Sequence, residues 1–173
     1  MPNLPTGLNS PTHEIRLRDV IDSDIPIFFE HQCDPVANQM AAFPPRAWDA
    51  FLPHWTKIRS DPSLTAKTVL FDGQVAGNIG SWEQDHQRLV GYWIGRNYWG
   101  QGVATKALAD FLKVIAVRPL YAHVAKHNLA SIRVLEKCGF TISREDTDSL
   151  DAPSDGVEEI VMKIGASGCS ELS

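Results

Sequence analysis

The sequence of 173 residues lacks an excess of basic residues and any long apolar run. Its 16 Lys and Arg residues are outnumbered by 21 Asp and Glu residues, which gives a formal net charge of -5. Proteins that bind nucleic acid usually present a clustered basic face, so we expect no nucleic-acid partner. No apolar run approaches the roughly 18 residues of a membrane-spanning helix, and the first residues do not resemble a signal peptide. We therefore expect no membrane association and a cytoplasmic location.

Cysteine is also scarce. Cys33, Cys138 and Cys169 are widely spaced and form no CxxC pair, so we expect free thiols, no disulfide framework and no metal site. A hydrophobic fraction of 43% in a chain of this length suits one domain with a core. Because Pro, Asn, Ser and Gly are frequent at both ends, we expect disordered tails at residues 1–12 and 166–173 around one domain of residues 13–165.

Strand and helix patterns alternate in the first half of this domain. EIRLRDVI (14–21) alternates as a half-buried strand does, and Ser23 is the expected N-cap of a helix over IPIFFEHQ. Residues 34–48 show little periodicity and predict a loop, which we hypothesise gates a cleft. Apolar residues at helical spacing follow to residue 58, with Pro53 expected to kink or split the helix. A hairpin around Asp72-Gly73 and a strand over RLVGYWIG come next.

The second half holds the clearest helix. Apolar residues recur at helical spacing from Ala104 to Ile115, with charged residues on the opposite face. PLYAHVAKH is a predicted strand, and Asn128 is the expected N-cap of a short helix that ends at Gly139. FTISRE and EEIVMKI predict two last strands. This order predicts an α/β (α+β) fold with a mixed sheet and helices on its faces.

The stretch YWGQGVAT (98–105) places two glycines between a predicted strand and the clearest helix. Main-chain N–H groups at the positive end of a helix favour an anion such as a pyrophosphate. A dinucleotide fingerprint would need a third glycine and a later acidic residue, and a nucleoside-triphosphate loop would need Gly-Lys-Ser/Thr; the stretch has none of these. A pyrophosphate site and a plain turn without a ligand both remain open on the spacing.

GYWIGRNYWGQGVATKAL (91–108), followed by HNLASIRVLEKCGF (127–140), resembles the GNAT superfamily of N-acetyltransferases. Within it, the pair of motifs is similar to the RimJ/RimL-like branch of ribosomal-protein alanine N-acetyltransferases. The resemblance spans residues 14–164 and implies a mixed, mostly antiparallel central sheet of about seven strands, helices on both faces, and splayed fourth and fifth strands. It also implies acetyl-CoA as acetyl donor, a primary amine as acceptor, and a possible homodimer.

The resemblance assigns the cofactor site residue by residue. The pyrophosphate would lie on the glycine loop, the pantetheine along the main chain of the preceding strand, and the thioester near the short helix. We expect the side chains of Tyr92 and Trp93 to pack in the core, and Thr105 to cap the long helix inward. The predicted cofactor-binding residues are Trp93, Ile94, Trp99, Gly100, Gln101, Gly102, Val103, Ala104, Thr105, Asn128 and Ser131.

Acetyl transfer needs a neutral amine and a donor for the leaving thiolate. Many superfamily members use a tyrosine in the short helix as that donor, but this chain has Leu135 there. The RimJ/RimL-like pattern implies Ser131 instead, three residues after Asn128 and therefore on the same helix face. The branch often has a glutamate where this chain has Leu89, so Glu83 is the nearest candidate base, with Asp85 and His86 behind it in a predicted turn. The predicted catalytic residues are Ser131, Asn128 and Glu83.

The resemblance also places the acceptor cleft among the early helices. Their bulky aromatic residues are candidates to line it, although we expect at least three to be core. Without a strong base, the site suits weakly basic amines such as a peptide α-amine. A catalytically silent CoA-binding sensor or assembly module is the alternative, since the usual tyrosine and glutamate are both missing. The aromatic candidates are Phe28, Phe29, Trp48, Phe51 and Trp55.

Overall fold

The computed structural model describes residues 12–151 and 156–165, which contain seven strands and six α-helices. The predicted tails at residues 1–12 and 166–173 lie outside the described residues, apart from residue 12. The strands are β1 Ile15–Asp19, β2 Thr65–Phe71, β3 Gln74–Gln84, β4 Gln87–Ile94, β5 Leu120–Ala125, β6 Thr141–Ser143 and β7 Glu159–Ile164. The helices are α1 Ile25–Gln32, α2 Pro35–Ala41, α3 Trp48–Ser60, α4 Val103–Val114, α5 Leu129–Lys137 and α6 Arg144–Asp148. Short 3-10 turns span Asp22–Asp24 and Arg96–Tyr98.

The seven strands form one sheet in the order β1-β2-β3-β4-β5-β7-β6. All neighbours are antiparallel except β4 and β5, which are parallel, so the predicted mixed and mostly antiparallel sheet is confirmed. The register of β4 and β5 pairs Leu89 with Tyr121 and does not continue along either strand. The two strands diverge beyond this pair and leave a cleft in the middle of the sheet.

Two apolar clusters cover the opposite faces of the sheet. Ala107, Leu108 and Phe111 of α4 are fully buried in the larger cluster, which also contains Ala76 of β3. The smaller cluster joins α1 and α3 and includes Val75, the neighbour of Ala76 on the same strand. Because successive strand residues point to opposite faces, the helices lie on both sides of the sheet.

The predicted N-cap at Ser23 is wrong. Helix α1 begins at Ile25 with Asp24 as its cap residue. The Asp24 carboxylate is 1% exposed and accepts hydrogen bonds from the Arg18 guanidinium, the Ile21 N–H and the Thr68 hydroxyl. These partners hold the chain at Asp24, so the helix starts two residues after the serine.

The predicted loop over residues 34–48 contains helix α2. The Asp34 carboxylate caps it by accepting from the Val36 N–H at 2.9 Å, and Pro35 suits the first helical position. A helix of 7 residues is too short to show a clear apolar period, which is why the pattern indicated a loop. The loop proper is limited to residues 42–47.

Two further local predictions need correction. Helix α3 runs unbroken through Pro53, so this proline does not split it. The predicted strand over residues 140–145 is shortened to β6, because the Ser143 hydroxyl oxygen accepts from the Asp146 N–H and starts α6. The Asp72-Gly73 hairpin, the cap at Asn128 and the helix end at Gly139 are confirmed.

Candidate active site

The cleft between the diverging halves of β4 and β5 passes from one face of the sheet to the other. It is bounded by α5 on the face of the larger cluster and by the end of α2 on the opposite face. The lining residues are Ala41, Val90, Gly91, Tyr92, Ala122, His123, Val124, Ala125, Asn128, Ser131, Leu135 and Glu159. In the described residues, no group of three or more His, Cys, Asp or Glu side chains is placed to hold a metal ion.

The glycine loop enters helix α4 in a conformation that requires glycine. Gly100 and Gly102 have φ angles of 74° and 75°, which lie in the left-handed region that other residues rarely adopt. A Cβ atom built on either glycine would meet no protein atom within 4 Å. The glycines are therefore needed for backbone conformation, and the space beside them is open to a ligand.

The start of α4 presents main-chain donors beside this space. Gly102 is the N-cap residue and has no side-chain cap bond, so the first N–H groups of the helix have no partner within it. Val103 is 2% exposed and anchors the loop in the core. The prediction that Thr105 caps the helix is wrong, because Thr105 is its third residue. The exposed Gln101 side chain donates to the Asn97 carbonyl.

Alternate residues of β4 direct their main chain to the cleft. The Gly95 N–H donates to β3 at 2.8 Å, and main-chain groups along a strand alternate between its two edges. The N–H and C=O groups of Trp93 therefore also point to β3, whereas those of Tyr92 and Ile94 point to the cleft. The Ile94 carbonyl accepts a hydrogen bond from Trp99 Nε1 at 2.8 Å. The main-chain groups that the sequence assigned to Trp93 for cofactor binding are therefore those of Tyr92.

Helix α5 brings a pair of hydroxyl groups to the cleft. Asn128 Oδ1 accepts from the Ser131 N–H at 3.1 Å, so the asparagine caps the helix and positions the serine. The Ser131 hydroxyl lies 2.7 Å from the Tyr92 hydroxyl of β4. Leu135 is 2% exposed and also lines the cleft, at the position of the family's usual tyrosine. A phenol therefore reaches the site from the strand, although the helix offers none.

Burial keeps the Tyr92 phenol protonated. Removal from water raises the pKa of Tyr92 to about 12, although the hydrogen bond with Ser131 opposes the shift. When Tyr92 donates to Ser131 Oγ, the serine O–H is left free to donate into the cleft. The expectation that Tyr92 packs in the core is correct in part, because its ring also contacts the larger cluster.

The candidate base from the sequence lies away from the cleft. Glu83 is exposed near the end of β3, pairs in register with Arg88, and does not line the cleft. Asp85 and His86 form the tight turn of this hairpin, with φ angles of 50° and 63°, as the sequence predicts. Glu83 therefore has no geometric support as a base.

Two ionisable residues of the cleft were not assigned from the sequence. Glu159 begins β7, and His123 lies on the neighbouring strand β5 with Nδ1 at 4.0 Å from Glu159 Oε2. His123 lies in the strand predicted over PLYAHVAKH, but the sequence does not identify its partner. No local signal identifies Glu159, because only the pairing of β5 with β7 brings it to the cleft.

The early helices, where the resemblance places the acceptor, supply mostly core residues. Phe28, Phe51 and Trp55 are 1%, 4% and 7% exposed, so the expectation of at least three core residues is confirmed. Phe29 is half-buried and Trp48 is 38% exposed. In the loop over residues 42–47, the guanidinium of Arg46 lies 5.1 Å from the Phe43 ring centroid, and Phe43 in turn contacts Trp93.

A family model described as acetyltransferase (GNAT) domain matches residues 14–141, which is most of the chain. The protein belongs to the GNAT acetyltransferases. This family uses acetyl-CoA, so acetyl-CoA is its acetyl donor. A comparison with curated proteins gave no match.

Solved structures of acetyltransferases have the same fold. Spermidine N-acetyltransferase from Vibrio cholerae, solved with CoA and spermine, has a TM-score of 0.74 at 16% identity, over 87% of this chain and 95% of that one. An acetyltransferase from Agrobacterium tumefaciens has a TM-score of 0.71 at 18% identity, over 96% and 99% of the two chains. An aminoglycoside acetyltransferase solved with coenzyme A has a TM-score of 0.67 at 18% identity, over 86% and 94%. At these identities the similarity establishes the fold.

The residues of the cleft fit acetyl-CoA. The open space beside Gly100 and Gly102 and the free N–H groups of α4 suit a pyrophosphate. The unpaired edge of β4 suits the amides of an extended pantetheine arm, and the Ser131 hydroxyl provides a donor in the cleft.

In the described ranges, no helix combines the length and apolar character that crossing a membrane requires.

Proposed function

We propose that the protein is an N-acetyltransferase of the RimJ/RimL-like branch, which transfers the acetyl group of acetyl-CoA to a peptide α-amine or a small-molecule amine. The observation that carries this proposal is the hydrogen-bonded pair of Ser131 and Tyr92 hydroxyls in the cleft, 2.7 Å apart. A catalytically silent CoA-binding module would have no need for an ordered pair of donors there.

The hydroxyl pair serves the leaving group. When bound, acetyl-CoA supplies an activated thioester. Ser131 would donate a hydrogen bond to the thioester sulfur, and Tyr92 would donate to Ser131 Oγ, so that the serine oxygen keeps a donor as charge develops. Asn128 holds the serine through its cap bond and acts as a positioning residue. A phenol with a pKa of about 12 keeps its proton at neutral pH and can therefore donate throughout the reaction.

The nature of the acceptor follows from the cost of a neutral amine. A lysine amine with a pKa near 10.4 is about 2.6 units more basic than an α-amine near 7.8, which amounts to about 3.5 kcal/mol at neutral pH. Buried Leu89 stands where the branch often has a glutamate, so this strand supplies no carboxylate base. Such a site favours α-amines and other weakly basic amines.

The test compares acceptors in an assay of CoA thiol release, with the products identified by mass spectrometry. One peptide has a free α-amine and no lysine, a second has the same sequence with an acetylated N-terminus and one lysine, and spermidine is a polyamine probe. We expect turnover with the first peptide and at least tenfold less with the second. Preferential acetylation of the lysine peptide or of spermidine would contradict the proposed acceptor class.

Ser131→Ala tests the hydroxyl pair. Loss of one donor at the reacting centre costs on the order of 100-fold in kcat, while the acetyl-CoA dissociation constant should change less than threefold. Ser60→Ala is the matched control, because Ser60 is an exposed helix serine outside the cleft. If the unaltered protein binds acetyl-CoA but acetylates no amine, the silent binding module is correct.

Homodimer formation and a cytoplasmic location stay predictions.

A further inference from the structure

His123 and Glu159 lie on the acceptor side of the cleft, across the sheet from Ser131. Ala122 and Val124 of β5 belong to the larger cluster beneath α4 and α5, so the alternation of the strand turns His123 to the other face. The antiparallel register pairs Ala125 with Glu159, which places the glutamate on this same face beside the histidine. The two side chains are 26% and 46% exposed, so an incoming acceptor can reach both.

Helix α2 borders this side of the cleft. It packs against β5, and its last residue, Ala41, lines the cleft. Helix α2 contains no ionisable side chain, since its sequence is PVANQMA. Among the lining residues, the imidazole of His123 and the carboxyl group of Glu159 are the candidate bases, since burial keeps the Tyr92 phenol protonated.

Nearby ionisable groups either are exposed on α6 or have partners other than His123 and Glu159. Arg144, Glu145 and Asp148 are exposed on α6. The groups with partners are Lys126 with Glu158, Lys163 over the Tyr121 ring, His127 with the Gln39 carbonyl, and Asp146 with Ser143 and Gln87.

We propose that His123 is the general base of acetyl transfer and that Glu159 positions its imidazole and stabilises the imidazolium form. This inference rests on the proposed function and assigns the base of that same site. The 4.0 Å separation is longer than a hydrogen bond, as is common for catalytic pairs before substrate binds. Imidazole titrates near neutral pH, which suits a base for a weakly basic amine.

The proposed step transfers the acetyl group directly from the thioester sulfur to the acceptor nitrogen. The acceptor amine forms a bond from nitrogen to the thioester carbonyl carbon, and one N–H proton passes to the free imidazole nitrogen of His123. The C–S bond breaks, its electron pair leaves on sulfur, and the thiolate receives a proton from solvent through the Ser131 and Tyr92 hydroxyls. The products are an N-acetyl amine and CoA, and the imidazolium returns its proton to solvent.

The experiment compares matched variants at cleft and non-cleft positions. His123→Asn and Glu159→Gln alter the proposed pair, whereas His127→Asn and Glu145→Gln make the same chemical changes outside the cleft. The assay measures kcat and kcat/KM for one α-amine peptide, and calorimetry measures acetyl-CoA binding. We expect His123→Asn to lower kcat/KM about 100-fold and Glu159→Gln about tenfold, with acetyl-CoA affinity and both control variants within threefold of the unaltered protein.

A pH profile distinguishes a base from a structural residue. In the unaltered protein, kcat/KM should rise with pH through the imidazole range in addition to the titration of the acceptor. With the same acceptor, His123→Asn should lose the enzyme's part of this rise, whereas Glu159→Gln should keep it at a lower kcat. His123→Asn activity within threefold of the unaltered protein, or an unchanged profile, would overturn the assignment. Absence of turnover in the unaltered protein would instead refute the proposed function, and the base with it.

Discussion

Replacing Gly102 with alanine separates the conformational role of this glycine from its role beside a ligand. Its φ angle is 75°, and an L-residue in the left-handed region costs about 1–2 kcal/mol. The added Cβ meets no protein atom within 4 Å, so no steric clash adds to this cost. Alanine also restricts the unfolded chain, which offsets about 0.4–1 kcal/mol. The net loss of folding free energy should be about 1 kcal/mol.

For a protein of this size, a loss of about 1 kcal/mol lowers Tm by about 2–4 °C. The variant therefore stays folded at 25 °C. The effect on acetyl-CoA should be larger, because the Cβ stands in the open space beside the start of α4. Loss of one hydrogen bond to a charged group costs about 1.5–3 kcal/mol, so affinity should fall about 10–150-fold.

Gly73→Ala is the matched control. Gly73 lies in the turn between β2 and β3 with a φ angle of 79°, and its Cβ would likewise meet no atom within 4 Å. The two variants should therefore lose similar stability in thermal unfolding. In calorimetric titration with acetyl-CoA, only Gly102→Ala should bind weakly. Equal affinities for the two variants would refute the assignment of the glycine loop as the pyrophosphate site.

Three further predictions concern stability and titration. Phe28→Ala should destabilise the protein by about 3–5 kcal/mol in urea unfolding, because Phe28 is 1% exposed between α1 and α3. Burial alone raises the pKa of Asp24, but hydrogen bonds from Arg18, Ile21 and Thr68 outweigh it and hold the pKa below the usual value. The stabilisation from the ionised Asp24 carboxylate is therefore present above its unfolded pKa near 3.9 and is lost as pH falls through its folded pKa. An acid titration of the folding stability of Asp24→Asn should lack this loss. Ultraviolet titration of the unaltered protein, with Tyr92→Phe as the reference, should place the Tyr92 ionisation near pH 12. Because the folded pKa is raised above the unfolded value, the stability that the protonated phenol contributes should fall between pH 10 and 12.

The elements with strong local signals were predictable. The Asp72-Gly73 turn, the helix beginning at the glycine loop and the Asn128 cap each depend on residues within a few positions of one another. Turn and cap geometries are local properties of the backbone, so their residues identify them without knowledge of the fold. The family resemblance, and not a local pattern, assigned Ser131 to the site, and the structure places this serine at the cleft.

The errors have equally physical causes. Ser23 is a good cap by type, but the buried Asp24 carboxylate binds Arg18 and Thr68 from β1 and β2, and these distant contacts determine where α1 begins. Helix α2 is held at its start by the ion pair between Asp34 and Arg96, at 2.8 Å. A short stretch of sequence around Asp24 or Asp34 does not reveal these partners.

The sequence by itself determined the fold class, the left-handed glycines of the cofactor loop, and the helix that carries Ser131. Only the tertiary structure decided which groups meet at the reacting centre. Tyr92 and Ser131 are 39 residues apart, and His123 and Glu159 lie on different strands. Their contacts depend on the divergence of β4 from β5 and on the register of β5 with β7. Shifting that register by one residue would turn Glu159 to the opposite face, and no local pattern specifies it.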